Sequence, residues 1–173
     1  MTSAMTDWQL PSEALLAAQI PALALSDTPG QRRNDKRYGF RCAGLNFLIT
    51  ARTYSELAYA KDIAALPGAP DYLLGLYNQR GNLIPVFNLA LALNNLTSRV
   101  TPAYLLILDQ REQALALAIE QQPETVSDLK LLSSQHTLPE QLLAHVSQIF
   151  LAGSQAWLEF DHRSFFRNLA KSC

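Results

Sequence analysis

The sequence predicts a mostly β fold, in which short antiparallel strands form two small curled sheets that share a core. Three observations carry this. Short apolar runs rich in Leu, Ile, Val and Phe come in pairs, each pair divided by a cluster of turn formers. Helical apolar spacing over roughly 10–15 residues, the mark of a βαβ crossover, is missing between the members of a pair. The succession strand pair, connector, strands is met twice along the 173 residues.

Residues 1–36 differ from the rest of the chain and read as an N-terminal extension with a charged linker, leaving 37–173 as one domain. Pro11 and Glu13 suit the first turn of a short helix, Leu15, Leu16 and Ile20 would form its apolar stripe, and Pro21 stops it. Asp27-Thr28-Pro29-Gly30 is a turn. Residues 38–42 and 45–49 alternate with period two around Ala43-Gly44 and read as a strand pair. Residues 52–59 suggest one helical turn and a short strand. Residues 104–108 and 114–119 form a second pair across the polar stretch 109–113, followed by a mixed connector over 120–132. The last strands are expected at 146–151 and 156–160, and a terminal helix at 164–170.

Between these pairs lies the stretch around which the rest is arranged, 66–93. Leu73, Leu74, Leu76 and Tyr77 supply one apolar arm of a hairpin, and Leu83, Ile84, Val86, Phe87 and Leu89 the other. The tip is Asn78-Gln79-Arg80-Gly81-Asn82, where Gly81 permits a positive φ. Pro85 removes a ladder donor, so an edge position or a bulge is expected there. Residues 90–100 read as an irregular exit.

Composition bounds the function. Only 17% of residues are charged and the net charge is −1, which provides no general attraction to nucleic acid or to anionic membrane. The apolar stretch 14–26 is broken by Gln19 and Pro21 and is too short to span a bilayer. The first residues lack the basic-then-apolar order of a secretory signal. Cys42 and Cys173 are the only cysteines, which fits a reducing compartment, and a cytoplasmic protein is expected.

His136, His145 and His162 are the only histidines, none four residues from another, so no metal pattern arises and surface positions are expected for them. No P-loop, G-x-G-x-x-G, G-x-S-x-G or C-x-x-C is present, and no cofactor or enzyme activity is expected. Asp161-His162, taken as strand neighbours, would point to opposite faces and share no proton path. The aromatics Trp8, Trp157, Tyr54, Tyr59, Tyr72 and Tyr77 lack the basic interleaving of a single-strand nucleic-acid platform. Arg80 has two readings: a guanidinium that hydrogen-bonds backbone carbonyls to hold two subdomains together, or one that contacts a partner's carboxylate.

The central stretch also resembles a known family. Pro67-Gly68-x-Pro70, Leu74-Gly75-Leu76, Asn78-x-Arg80-Gly81-Asn82, an apolar run with Pro85, and Phe87-Asn88-Leu89 are similar to the signature of CheW-like chemotaxis coupling proteins. The N-terminal extension and the start Tyr38-Gly39-Phe40-Arg41 look most like members from pilus-linked, twitching-motility systems. Asn78, Arg80, Gly81 and Pro85 match the pattern; Gln79 stands where an aliphatic residue is usual, and Asn88 where Asp is usual. The resemblance implies two five-stranded β-barrels packed side by side. It implies a non-catalytic adaptor that couples the cytoplasmic tips of chemoreceptors to the regulatory domain of a CheA-type histidine kinase, at membrane-associated arrays. Matched from Arg80, Tyr54 falls at a groove position that is usually aliphatic, and Glu56 and Leu57 fall near partner surfaces. Glu120 takes an acidic place in the second barrel, with Gln121, Gln122 and Pro123 after it. A groove with Tyr54 on one wall and Gln122-Pro123 on the other would be more polar than usual, weakening receptor binding by about 1–3 kcal/mol. The other functions open to such a chain are a small-ligand or enzymatic β-barrel with its site between the lobes, and an array subunit that binds no receptor.

Overall fold

Among the described residues, two left-handed dipeptides each reverse the chain within two residues. Ala43 and Gly44 have φ of 53° and 75°, and Arg80 and Gly81 have φ of 52° and 91°. Positive φ at both central residues is the geometry whose twist matches that of antiparallel strands, so each dipeptide closes a two-residue hairpin. The first joins β1 (Arg37–Cys42) to β2 (Leu45–Ile49), the second β4 (Leu73–Gln79) to β5 (Asn82–Phe87). The turn of the second is therefore narrower than the five-residue tip expected, because Gln79 and Asn82 pair as ladder residues. Asn78 Oδ1 accepts from the Gly81 N–H at 2.8 Å and braces it.

A computed structural model describes residues 36–93, 101–132 and 138–171. The expected N-terminal helix, Trp8, His136 and most of the 90–100 exit lie outside these residues. The remaining elements are β3 (Ser55–Tyr59), α1 (Leu89–Ala92), β6 (Tyr104–Leu108), a 3-10 turn (Arg111–Gln113) and β7 (Leu115–Ile119). After them come β8 (Glu124–Val126), β9 (Lys130–Leu131), α2 (Glu140–Leu143), β10 (Val146–Ala152), β11 (Gln155–Phe160) and α3 (His162–Leu169).

The strands form two sheets, ordered β8-β1-β2-β11-β10-β9 and β3-β6-β7-β5-β4. This departs from two sets of five strands: one sheet has six, because the connector after β7 contributes the short strands β8 and β9. Nor are the sheets successive halves of the chain. The five-stranded sheet is built from the middle, while β1 and β2 join the C-terminal strands through a parallel pairing of β2 with β11. The strand that leads to Glu120 thus shares a sheet with β3 rather than standing across from it. A second parallel pairing joins β5 to β7, so β5 is an interior strand and the edge position expected for Pro85 does not occur. Ladder alternation turns the Pro85 nitrogen away from β4, and pairing with β7 begins only at Val86, so no donor is lost. The bulge lies in β4 instead, between Leu73 and Gly75.

Three apolar layers result from strand alternation. One face of the five-stranded sheet gathers Ile84, Val86, Leu105, Ile107 and the small Ala114, Ala116 and Ala118, and small residues on an inner face permit tight curling. Its other face, with Leu106, Leu108, Leu115, Leu117 and Ile119, packs on Phe40, Phe47, Leu158, Phe160, Phe165 and Phe166, and this is the main core between the sheets. Leu48, Val126 and Trp157 fill the inside of the six-stranded sheet. Asn88 caps the N-terminus of the short α1, with Oδ1 accepting from the Leu91 N–H at 3.2 Å; Asn serves an N-cap as well as Asp.

Two expectations about histidine change. His145 and His162 are buried rather than at the surface. Asp161 and His162 are not strand neighbours: Asp161 caps α3 through the Ser164 N–H, and His162 opens that helix.

Candidate partner-binding site

β3 is an edge strand whose side chains alternate, with Glu56 and Ala58 on the inner face and Leu57 and Tyr59 on the outer. Its opposite number at the far edge of the sheet is β4. The sheet curls until these edges meet. Ala64, just after β3, exchanges both backbone hydrogen bonds with Leu76 at 2.8 and 2.9 Å. Gly75 makes this approach possible, since a Cβ there would lie 2.2 Å from the Ala64 carbonyl oxygen.

The curl carries the hairpin tip to Glu56. Arg80 Nη2 donates to Glu56 Oε1 at 2.9 Å, and Gln79 Nε2 donates to Oε2 at 3.1 Å. From the residue preceding β3, the Tyr54 hydroxyl also donates to Oε2, at 2.9 Å. One carboxylate thus takes three donors from two edges. Arg80 remains 78% exposed, so most of its guanidinium donors face water. Its bonding differs from the carbonyl-bridging role considered from sequence; the partner is a side-chain carboxylate in its own sheet. Gln79, which departs from the family pattern, is one of the three donors.

Leu57 and Gln122 stand apart from this cluster. Leu57 pairs with Leu106, which is buried in the core between the sheets, yet Leu57 itself is 40% exposed at the rim of that core. Further along β3, Tyr59 faces Tyr104, with ring centroids 5.7 Å apart, and the Gln122 side chain donates to the Tyr104 hydroxyl at 3.3 Å. Tyr54 and Gln122 therefore lie at opposite ends of β3 and do not form the two walls of one groove. The strip is formed by exposed Leu57 and Tyr59 and half-buried Tyr104, ending at Gln122. Asn78, Gly81, Pro85 and Asn88 shape the hairpin and the α1 cap.

Behind Tyr54 lies a group that sequence spacing does not reveal. Asp109 leaves β6 with φ of 64° and is 4% exposed. Its N–H donates to the Tyr54 carbonyl at 2.9 Å. Its carboxylate accepts from His162 Nε2 at 2.8 Å and from Arg163 Nε at 2.7 Å, with a further bond from Arg163 Nη2. Burial would raise its pKa, but the hydrogen bonds and charges of Arg163 and His162 outweigh that and hold it below the usual carboxylate range. Elsewhere, burial pushes the Cys42 thiol up to about 12, with the Glu120 charge adding in the same direction and a backbone hydrogen bond opposing.

The comparisons with known proteins agree with this architecture. A family model described as CheW-like domain matches residues 38–168. No curated protein matches the chain significantly. Among solved structures, the crystal structure of the scaffolding protein TtCheW from Thermoanaerobacter tengcongensis superposes with a TM-score of 0.60 at 16% identity, over 77% of this chain and 92% of that one, a likeness of fold. With two β-sheets sharing a core and the family model spanning both, this chain belongs to the CheW-like domain family.

Proposed function

We propose that this protein is a non-catalytic adaptor that couples chemoreceptors to a CheA-type histidine kinase, with residues 37–173 as the coupling domain and 1–36 as an extension. The observation that carries the reading is the Glu56 carboxylate, held by Tyr54, Gln79 and Arg80 at the end of the five-stranded sheet. The cluster is held by three hydrogen bonds on the Glu56 side and faces solvent on the Arg80 side. A guanidinium with free donors takes a partner's carboxylate with directional, charge-assisted bonds. This end is the kinase-facing surface in our reading. The Leu57, Tyr59 and Tyr104 strip would take the receptor tip, and Gln122 would make one end of it polar. Each contact has the scale of a modest interface, about 1,000–2,000 Å² in total. The family to which the chain belongs supports the adaptor role; in our reading the output is pilus-linked, on the resemblance of the N-terminal extension and of the start at residues 38–41 to members of such systems.

The test is a pair of titrations with the full chain. The regulatory domain of the CheA-type kinase from the same cell binds at micromolar affinity or better, and Arg80→Ala weakens it while Leu57→Ala does not. The receptor tip shows the reverse pattern. No binding to the kinase domain by folded protein would remove the adaptor reading and leave a shared fold with another use.

A further inference from the structure

Asp109 and the adjacent pair His162-Arg163 come from distant parts of the chain, and what they accomplish goes beyond the partner-binding cluster itself. Asp109 sits at the first position past β6, where β6 pairs with β3 through Leu108 and Ser55. Its left-handed backbone ends the strand. Its N–H stays on the β3 side, bonded to the Tyr54 carbonyl, while its carboxylate meets the first turn of α3. The same residue thus holds Tyr54 with its backbone and α3 with its side chain. Tyr54, in turn, gives its hydroxyl to Glu56, which holds Arg80.

We infer that Asp109 is a positioning residue for the Glu56–Arg80 cluster, and that the docked helix α3 is through it part of the partner-binding apparatus. The carboxylate itself touches no partner, being buried beneath His162 and Arg163. It acts by fixing where the β3 entry stands. When the carboxylate is held by α3, the Tyr54 carbonyl and hydroxyl have fixed positions, and the side of Glu56 facing Tyr54 is already satisfied. When that hold is lost, the Asp109 backbone shifts and carries the Tyr54 carbonyl with it, so the Tyr54 hydroxyl is less well placed for Glu56 and Arg80 has a less well-placed anchor. Partner affinity and the seating of α3 are then linked, each favouring the other. This inference rests on the reading of the cluster as a kinase-facing surface, but its structural part can be tested without a partner.

The experiment uses the full chain as wild type, Asp109→Asn, Tyr54→Phe, the double variant and the milder Arg163→Gln, which alters a half-exposed side chain. Two quantities are read: the Arg80 Nε–Hε NMR signal of the free protein, and affinity for the kinase regulatory domain. Asp109→Asn is expected to shift the Arg80 signal and weaken binding about two- to tenfold. In the Tyr54→Phe background the same substitution should change neither quantity further, because its effect passes through the Tyr54 hydroxyl. Arg163→Gln should move the signal in the same direction by less. An unchanged Arg80 signal in folded Asp109→Asn overturns the inference, as does an effect that simply adds to that of Tyr54→Phe. If Asp109→Asn does not fold, Arg163→Gln decides by the same criteria. If the wild type does not bind the kinase domain, the adaptor reading falls, and the Arg80 signal alone still decides whether Asp109 positions the cluster.

Discussion

At the scale of single residues, Arg80 separates stability from recognition. Its ion pair with Glu56 is made at the surface, where water screens it, and such pairs contribute about 0–1 kcal/mol. Arg80→Ala should therefore leave the urea midpoint almost unmoved. If the Arg80 guanidinium meets a partner carboxylate, the same change should weaken kinase binding at least about tenfold, as truncation at a charged interface residue does. A large loss of stability would restore the structural role for Arg80. Cys42 poses the opposite case, a reactive group made inert. With its thiol pushed up to about 12 by burial, almost none is thiolate at neutral pH, and the thiolate is the species that reacts. In a Cys173→Ser background, alkylation of the native protein at pH 8 should be far slower than after unfolding in urea, as followed by mass spectrometry.

At the scale of elements, the glycines of the two hairpins have distinct reasons to be glycine, and these rank the cost of replacing them. Gly75 has φ of 143° and would place a Cβ against the Ala64 backbone, which cannot yield without breaking the β4 edge contact. Gly39 would place one 2.2 Å from the Trp157 ring, a buried side chain with little room to turn. Gly81 has φ of 91° but faces open space. Thermal unfolding should rank the alanine variants accordingly. Gly75→Ala should be the most damaging, and Gly39→Ala should cost about 1–3 kcal/mol through overpacking. Gly81→Ala should lose only about 1–2 kcal/mol of backbone strain. A Gly75→Ala variant as stable as Gly81→Ala would mean that the edges of the five-stranded sheet do not meet as described.

At the scale of the molecule, α3 joins the two sheets. Phe166 stacks on Phe87 at 4.4 Å, and Phe165 packs on Phe160 at 5.4 Å, so the helix contacts both sheets through adjacent residues. Truncating Phe166 to Ala should cost about 3–5 kcal/mol. The polar part of the same junction gives a pH signature. Asp109 has a depressed folded pKa against an unfolded value of about 3.9. Its contribution is present above about pH 4 and is lost as pH falls through the folded value, because the unfolded chain then binds the proton first. The difference in urea midpoint between wild type and Asp109→Asn should thus be large at pH 7 and shrink toward pH 3. A difference independent of pH would mean that the carboxylate charge is not what holds α3.

The local pattern of the chain determined a good deal. Leu45–Ile49 and Tyr104–Leu108 are strands at the bounds expected, because period-two alternation in the first and a short apolar run beside a polar turn in the second are properties of neighbouring residues. A reversal within 78–82 was legible from its turn formers, though its narrowing to Arg80-Gly81 was not, and the spacing around it marked the family and drew attention to Tyr54, Glu56 and Arg80. What the tertiary structure alone decided is which distant segments meet. The parallel pairing of β2 with β11, the interior place of β5 and the sixth strand of one sheet depend on partners far along the chain, on which alternation is silent. The position of Gln122 beside Tyr104 instead of Tyr54 is a consequence of that topology. The buried carboxylate of Asp109 is the extreme instance. It lies 53 positions from His162 in a polar turn that reads as solvent-exposed, and only the docking of α3 over the end of β6 removes it from water and provides donors that keep it charged.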